Sequence, residues 1–513
     1  MESGSTYGTK DLRKSTSRLL SADIDQKDVY GTIQPRGQAT TLIDLVSRDI
    51  QDNILFPLDA NISRFTRDES LRTIPMSSVM REFTFRGPAE FGQRFTFELG
   101  DANCGDLLQG LFIQIQLGDW FLDGAREKLI NGSLLYVDYK EAWTYINSLG
   151  TAILEEATLE VDDQILEKIT GDSVNVISLL FPDLNTQVGL SDSVGRKSID
   201  TVKSWDGTRA YVVEDGWITV PLLFSMLREN FTATFPLISC RSGTIRIRVT
   251  LKRFDEIVRI VKGYRERPED TPLDKIIPVS NITIQYGQNT VLHSLTVAPK
   301  MRQIQLLTSG IFVDGAYREM LLREPFERPY REIQQFDFME PLKYVVNKTG
   351  NDLITVQLPL EANQPVEEIV WFLRRKAAIK LNNEWINYSA TLEKDYDPVY
   401  APLEPLLVSA KLQANGIDIV SQDESWFRSH ISRAHRAGKT AYDSYIYGYS
   451  FAKNPGQHNP TGSINASRLN SLRLTLNVRP PSDVDSEWEV HVLVFAFQWV
   501  RFGNGICNKV FID

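Results

Sequence analysis

Residues 442–481 read YDSYIYGYSFAKNPGQHNPTGSINASRLNSLRLTLNVRPP. Tyr445, Tyr447, Tyr449 and Phe451 alternate with Ile446, Gly448 and Ser450, the two-residue period of a pleated strand. Asn454, Pro455, Gly456, Asn459, Pro460 and Gly462 then interrupt the pattern with turn chemistry. On the return, Leu472, Leu474, Leu476 and Val478 face one way, and Arg473, Thr475, Asn477 and Arg479 face the other. The stretch is therefore strand, long turn, strand, in an antiparallel sheet with one buried and one wet face. Periodicity alone asks for no more than a β-sandwich.

The residues themselves are more specific. YSFAKNPGQHNPTGSINASRLN resembles, without a gap, the segment Y-S-F-A-x-x-P-x-x-H-x-P-[ST]-G-x-x-N-x-S-R of the major capsid proteins of nucleocytoplasmic large DNA viruses. Further stretches are similar to that family in the family's own order. GTAILEEATLEVDDQILEKITGD (150–172) resembles G-H-A-L-I-E-E-V-E-L-E-I-G-G-Q-x-I-D, with Asp162-Asp163 in place of Gly-Gly. ANQPVEEIVWFLRR (362–375) resembles H-P-V-K-E-L-I-W-V-x-Q, and LVSAKLQANGIDI (407–419) resembles S-A-K-L-x-L-N-G-x-D. Near the start, Leu42, Leu45, Val46, Gln51, Asp52 and Leu55 keep the skeleton of the family's opening segment, with Asp49 where Gly is usual. The resemblance runs from about residue 41 to residue 513.

Composition sets the class. A chain of 513 residues exceeds one hydrophobic core, and 42% apolar residues exclude wholesale disorder. With 56 basic and 66 acidic residues the net charge is −10, which argues against a surface that neutralises phosphates. Cys104, Cys240 and Cys507 are sparse, odd in number and far apart, so all three are expected as free thiols in a reducing compartment. The first residues lack the apolar core of a secretory signal, and no run approaches a membrane-spanning length. The sequons at Asn131, Asn347 and Asn387 read as chance occurrences.

Taken in order, the chain divides into an N-terminal arm at 1–80, a first β-rich block at 81–262, a linker at 263–291 and a second block at 292–513. Residues 1–40 are polar, and Leu42, Ile43, Val46 and Ile50 allow a short helix over 42–52. In the first block, Phe83, Phe85, Phe95 and Phe97 sit two apart around Gly87-Pro88, and Ile113, Ile115 and Leu117 alternate with glutamines. Residues 119–149 form an aromatic insertion, Asp162-Asp163 a hairpin turn, and 171–216 a polar irregular loop. Ile245, Ile247, Val249 and Leu251 point in from the strand that closes the block, and KGYRERPEDTPLD (262–274) has linker composition.

Chemistry is sought among the histidines and carboxylates. His293, His430, His435, His458 and His491 include no H-x-H pair, and His430 and His435 are five apart, off the helical face that two metal ligands share. His458 reads as a turn residue with a structural hydrogen bond. Glu155-Glu156 and Glu367-Glu368 lie on strands, where neighbours point to opposite faces, and read as solvated edge charge. No catalytic, cofactor-binding or metal-ligating residue is assigned, no cofactor is expected, and the chain reads as structural rather than enzymatic.

The resemblance implies an all-β fold, an arm followed by two tandem eight-stranded jelly rolls. It implies a major capsid protein whose homotrimers form pseudo-hexagonal capsomers of an icosahedral shell. Its partners would be itself, first as homotrimer and then as a lattice of trimers, minor capsid and penton proteins, and an internal membrane beneath the shell. Direct nucleic-acid contact is not expected. The location would be the virion capsid, assembled in the host cytoplasm. Two alternatives stay open: a scaffold lattice of immature virions on the same fold, and a glycan-binding or metal-dependent jelly-roll protein.

Overall fold

A strand that buries one face alternates apolar and polar residues, and this rule fixes the first strands of the fold. In Leu107–Leu117, Leu111, Ile113, Ile115 and Leu117 are buried. Gln114 of that strand instead accepts a hydrogen bond from Gln305 of the neighbouring strand at 2.9 Å. In Ile245–Leu251 the four apolar residues are buried, as expected, while Arg246 and Arg248 reach out to Asp163 (2.6 Å) and Glu160 (2.8 Å).

The computed structural model describes residues 74–117, 141–182, 184–197, 217–227, 234–262, 275–277, 285–286, 294–295, 301–340, 353–393, 396, 399–435, 444–457, 459–479 and 487–511. The expected arm over 1–40, the helix over 42–52, most of the insertion 119–149, His293, His458, Asn131 and Asn347 lie outside them.

Sixteen strands within the described residues form two sets of eight. The first set is β1 (Met76–Thr84), β2 (Arg94–Leu99), β3 (Leu107–Leu117), β4 (Leu154–Val161), β5 (Gln164–Thr170), β6 (Trp217–Pro221), β7 (Ile245–Leu251) and β8 (Met301–Val313). The second is β9 (Phe326–Glu340), β10 (Ile354–Pro359), β11 (Pro365–Arg375), β12 (Leu407–Ala414), β13 (Ile417–Asp423), β14 (Ile446–Ser450), β15 (Leu472–Val478) and β16 (Trp488–Gly503). The first set pairs as sheets β1-β8-β3-β6 and β2-β7-β4-β5, the second as β9-β16-β11-β14 and β10-β15-β12-β13. Adding eight to every strand of the first set gives the second. Each set is a jelly roll, so the fold is a double jelly roll, as the resemblance implied.

The same tight turn recurs in both rolls. Asp162 and Asp163 (φ 50° and 64°) join β4 to β5, and Asn415 and Gly416 (φ 51° and 80°) join β12 to β13. Two consecutive positive φ angles give the turn whose twist matches paired strands.

The pairing moves the boundary between the rolls. Met301–Val313, expected within the second block, lies between β1 and β3 and completes the first roll. The segment expected as a linker, 263–291, therefore falls inside the first roll, between its seventh and eighth strands. Within that connection Val258–Lys262 pairs with both Glu141–Tyr145 and Lys275–Ile277 in a small sheet of its own. The first roll also opens at Met76, five residues earlier than expected. Between the rolls lies an α-helix, Gly315–Arg323, capped by Asp314, whose carboxylate accepts from the Ala316 amide.

Candidate functional site at the junction of the two rolls

The sheet β9-β16-β11-β14 is covered on both faces, and its strands show it. Nearly every residue of β11 and β16 is buried, including Val490, Val492, Leu493, Val494, Phe495 and Ala496 in succession. Such continuous apolar runs are the mark of strands with no wet face. One face meets the second roll's own core; the other meets elements of the first roll.

The chief of these elements is a helix in the segment expected to be irregular. Helix α1 (Gly171–Leu180) begins at a reciprocal cap: Thr170 Oγ1 accepts from the Ser173 amide, and Ser173 Oγ accepts from the Thr170 amide. A second helix, Leu184–Ser193, follows it. Ten residues are too few for a stable isolated helix. Packing supplies the rest: Val174 joins the first roll's core, and Val176, Ile177, Leu179 and Leu180 join the second's. Each such side chain contributes roughly 1.5–3 kcal/mol on burial. Phe181, just past the helix, packs on Phe495 of β16 at 5.3 Å and on His435 at 4.5 Å between ring centroids.

The long turn of the opening stretch closes on the same place. Gly456 has φ 76°, and a Cβ there would lie 2.8 Å from the Phe181 ring. Phe181, Ala434, His435, Asn454, Pro455, Gly456 and Gln457 line a cavity of about 150 Å³.

Two buried polar clusters tie the rolls together. In the first, Asp172 of α1 accepts from Arg374 of β11 at 2.9 Å, and Arg374 also donates to Glu489 of β16 at 2.8 Å. His491 bridges Asp337 through Nδ1 (2.5 Å) and Glu489 through Nε2 (3.0 Å). Burial pushes the His491 pKa down, but the two carboxylate bonds outweigh it and raise it to about 9, so the ring is a cation at neutral pH. Both ring nitrogens then donate, and the 3.1 Å approach of Arg374 Nη2 to Nε2 is a contact between two cations held by Glu489. Burial raises the Glu489 carboxyl, yet His491 and Arg374 bring it down to about 2. Asp172 is likewise raised by burial and lowered further by Arg374, His491 and Lys252. Burial brings Lys252 down to about 8; its ammonium donates to the Ala152 carbonyl at 2.7 Å and sits 3.8 Å from the Trp385 ring centroid. Three carboxylates thus face three cations.

In the second cluster, Glu167 of β5 accepts from the Ser225 amide at 2.8 Å, Ser225 Oγ accepts from the Arg331 amide at 2.8 Å, and Arg331 is paired with Glu367. Tyr330 donates to the Leu166 carbonyl at 2.8 Å. Burial raises the Glu367 carboxyl, against the pull of Arg331.

Glu367 and Glu368 are therefore not solvated edge charge. Both are fully buried, because the sheet that carries them has no exposed face; Glu368 pairs with His435 at 2.7 Å. Glu156 does stay near solvent, paired with Lys168 at 2.6 Å. His430 and His435 do not share a site: His430 stacks on Trp426 at 4.6 Å, while His435 turns to Glu368. Asn387, one of the sequons, is buried and donates to Glu384 and the Thr391 carbonyl. Among the described residues no group of three or more His, Cys, Asp or Glu is arranged to hold a metal ion, and no helix is long and apolar enough to cross a membrane. The first cluster neutralises charge between the two bodies.

Residues 74–314 match the family described as "Major capsid protein N-terminus", and residues 332–499 match "Large eukaryotic DNA virus major capsid protein". The "Major capsid protein" of Phaeocystis pouchetii virus is 21% identical over 488 residues, covering 77% of this chain and 85% of that one. "Capsid protein 1" of Acanthamoeba polyphaga mimivirus is 22% identical over 320 residues; the match covers 61% of this chain and only 44% of that longer protein. The VP54 protein of PBCV-1, in the structure fitted into a reconstruction of the virophage Sputnik, shares the fold with a TM-score of 0.62 at 14% identity, covering 88% of this chain and 100% of that one. One family match falls on each jelly roll, with the division between them where the strand pairing puts it, and the chain belongs to the major capsid proteins of large eukaryotic DNA viruses.

Proposed function

We propose that three copies of this chain assemble into a pseudo-hexagonal block, and that such blocks tile the icosahedral shell of a large DNA virus. The observation that carries this reading is the repeat of one strand order in both halves of the chain. Two like bodies fixed side by side occupy about a third of a hexagon's rim, so threefold symmetry fills it and a single chain type tiles a flat lattice. The fixed angle between bodies is the mechanical requirement, and α1 with the two buried clusters supplies it.

The division that follows is a first roll over about 75–314 and a second over about 326–511, with the arm before them. The arm would face minor capsid and penton proteins or an internal membrane beneath the shell, and assembly would take place in the host cytoplasm. The negative net charge favours protein partners over direct packing on nucleic acid. The chain's role is structural, with no reaction assigned to it.

Electron microscopy of the purified protein tests this. Hexagonal outlines with threefold symmetry are expected, and the protein should be abundant in mature virions. Isolated two-lobed particles would overturn the block. Presence in immature particles and loss from mature ones would make the chain a scaffold instead.

A further inference from the structure

We propose that Cys240 and Cys507 are a redox-sensitive pair that, on oxidation, joins the two rolls through a disulfide. All three cysteines are free and buried in the structure described here. Cys240 ends the 3₁₀ turn Leu237–Cys240 that precedes β7 of the first roll. Cys507 lies on the strand Ile506–Lys509, which folds back on β16 of the second roll and places Cys507 opposite Phe502. The tip of that hairpin, Asn504-Gly505, is seated on the first roll. Ser242 donates its amide to the Gly505 carbonyl at 2.9 Å, and a Cβ on Gly505 would come within 2.5 Å of Ser242 Oγ. Phe235 of the first roll and Phe502 of the second pack at 5.7 Å beside them. Both cysteines are 1% exposed in one core, and the turn that ends at Cys240 packs directly on the strand that carries Cys507. Cys104 is placed apart, against Thr308.

Contact with Cys507 first, and burial second, push the Cys240 thiol up, so it is protonated at neutral pH. A protonated thiol is a poor nucleophile, and exchange requires the hairpin tip to open. In a reducing compartment the pair stays reduced; glutathione disulfide supplies the oxidising equivalent elsewhere. One cysteine thiolate attacks glutathione disulfide, forming a mixed disulfide and releasing one glutathione thiolate. The other cysteine thiolate attacks the protein-bound sulfur, forms the Cys240–Cys507 bond and releases the second glutathione. The protein loses two electrons and two protons; glutathione disulfide gains the electrons. Because the bond closes a very long loop, it constrains the unfolded chain strongly.

The full chain, purified reduced, is incubated with glutathione disulfide in urea below its unfolding midpoint, and separately refolded in the same redox buffer. After denaturation one titratable thiol should remain, with a linked pair of peptides carrying Cys240 and Cys507. The melting temperature should rise by several degrees and fall back with dithiothreitol. Cys507→Ser should keep both remaining thiols and show no rise. Three thiols after both treatments, or a bridge that uses Cys104, would overturn the pairing.

Discussion

Leu474 and Arg473 are neighbours on β15 with opposite fates: Leu474 is fully buried between the sheets of the second roll, and Arg473 is exposed and donates to Gln357 at 3.2 Å. Leu474→Asp places an unpaired carboxylate in that core, which costs several kcal/mol or forces its protonation, against a margin of about 5–15 kcal/mol for a whole domain. Soluble, folded protein should be lost, whereas Arg473→Asp should change the urea midpoint little. Equal damage from both, in one denaturation experiment, would mean a shifted register. His491 makes a second test. Its folded pKa of about 9 lies above the ordinary 6.5, so its contribution is complete below about pH 6.5 and is lost as pH rises through 9. At about 1.4 kcal/mol per unit this amounts to roughly 3 kcal/mol. Glu489, held near 2, contributes above about pH 4.5 and loses that as pH falls. Lys252, lowered to about 8, acts the other way between 8 and 10.5, so within this cluster the interval from 6.5 to 8 belongs to His491. Urea unfolding of the wild type should weaken across that interval, and His491→Gln, with Asp337, Glu489, Arg374 and Asp172 left in place, should flatten the slope. Parallel slopes would remove His491 from the account. Leu474 was legible from its two-residue period. The His491 cluster was not, because its members come from α1, β9, β11 and β16; the available signal was Glu489 and His491 interrupting an apolar run.

At the scale of elements, α1 shows what local reading loses. Its ten residues include Val174, Val176, Ile177, Leu179 and Leu180, but they sit in a longer stretch, 171–216, that reads as a polar loop, and they form a helix because both rolls offer it a surface. Gly171 at its start is demanded by close approach: a Cβ would lie 2.4 Å from the Leu154 carbonyl oxygen and 2.5 Å from that of Thr151. Both are backbone atoms, so the clash cannot be relieved by a side-chain rotation. Gly171→Ala should therefore cost about 1–3 kcal/mol and lower the melting temperature by several degrees. Gly189, in the helix Leu184–Ser193, has nothing within 4 Å of an added Cβ, and Gly189→Ala should be neutral or stabilising. Calorimetry of the two variants checks this; no drop for Gly171→Ala would contradict the docking of α1. The turn at 454–457 was legible as a turn. Its role was not, because Gly456 is fixed by contact with Phe181, which lies far away in sequence.

For the whole molecule, the strands and their double arrangement could be read from alternation and resemblance, while the boundary between rolls could not. Composition marks 262–274 as a linker, but a charged, proline-bearing segment looks the same whether it joins two domains or two strands of one. The distinction lies in β8, which pairs with β1 more than two hundred residues away. The rolls are then held as one body by α1 and two buried polar clusters, which suits a subunit that must present a fixed angle to its neighbours. In the proposed block this body is used three at a time. Multi-angle light scattering of the full chain at micromolar concentration tests it most directly. A mass of three times the 58.4 kDa chain is predicted, and a mass of one chain would contradict the account.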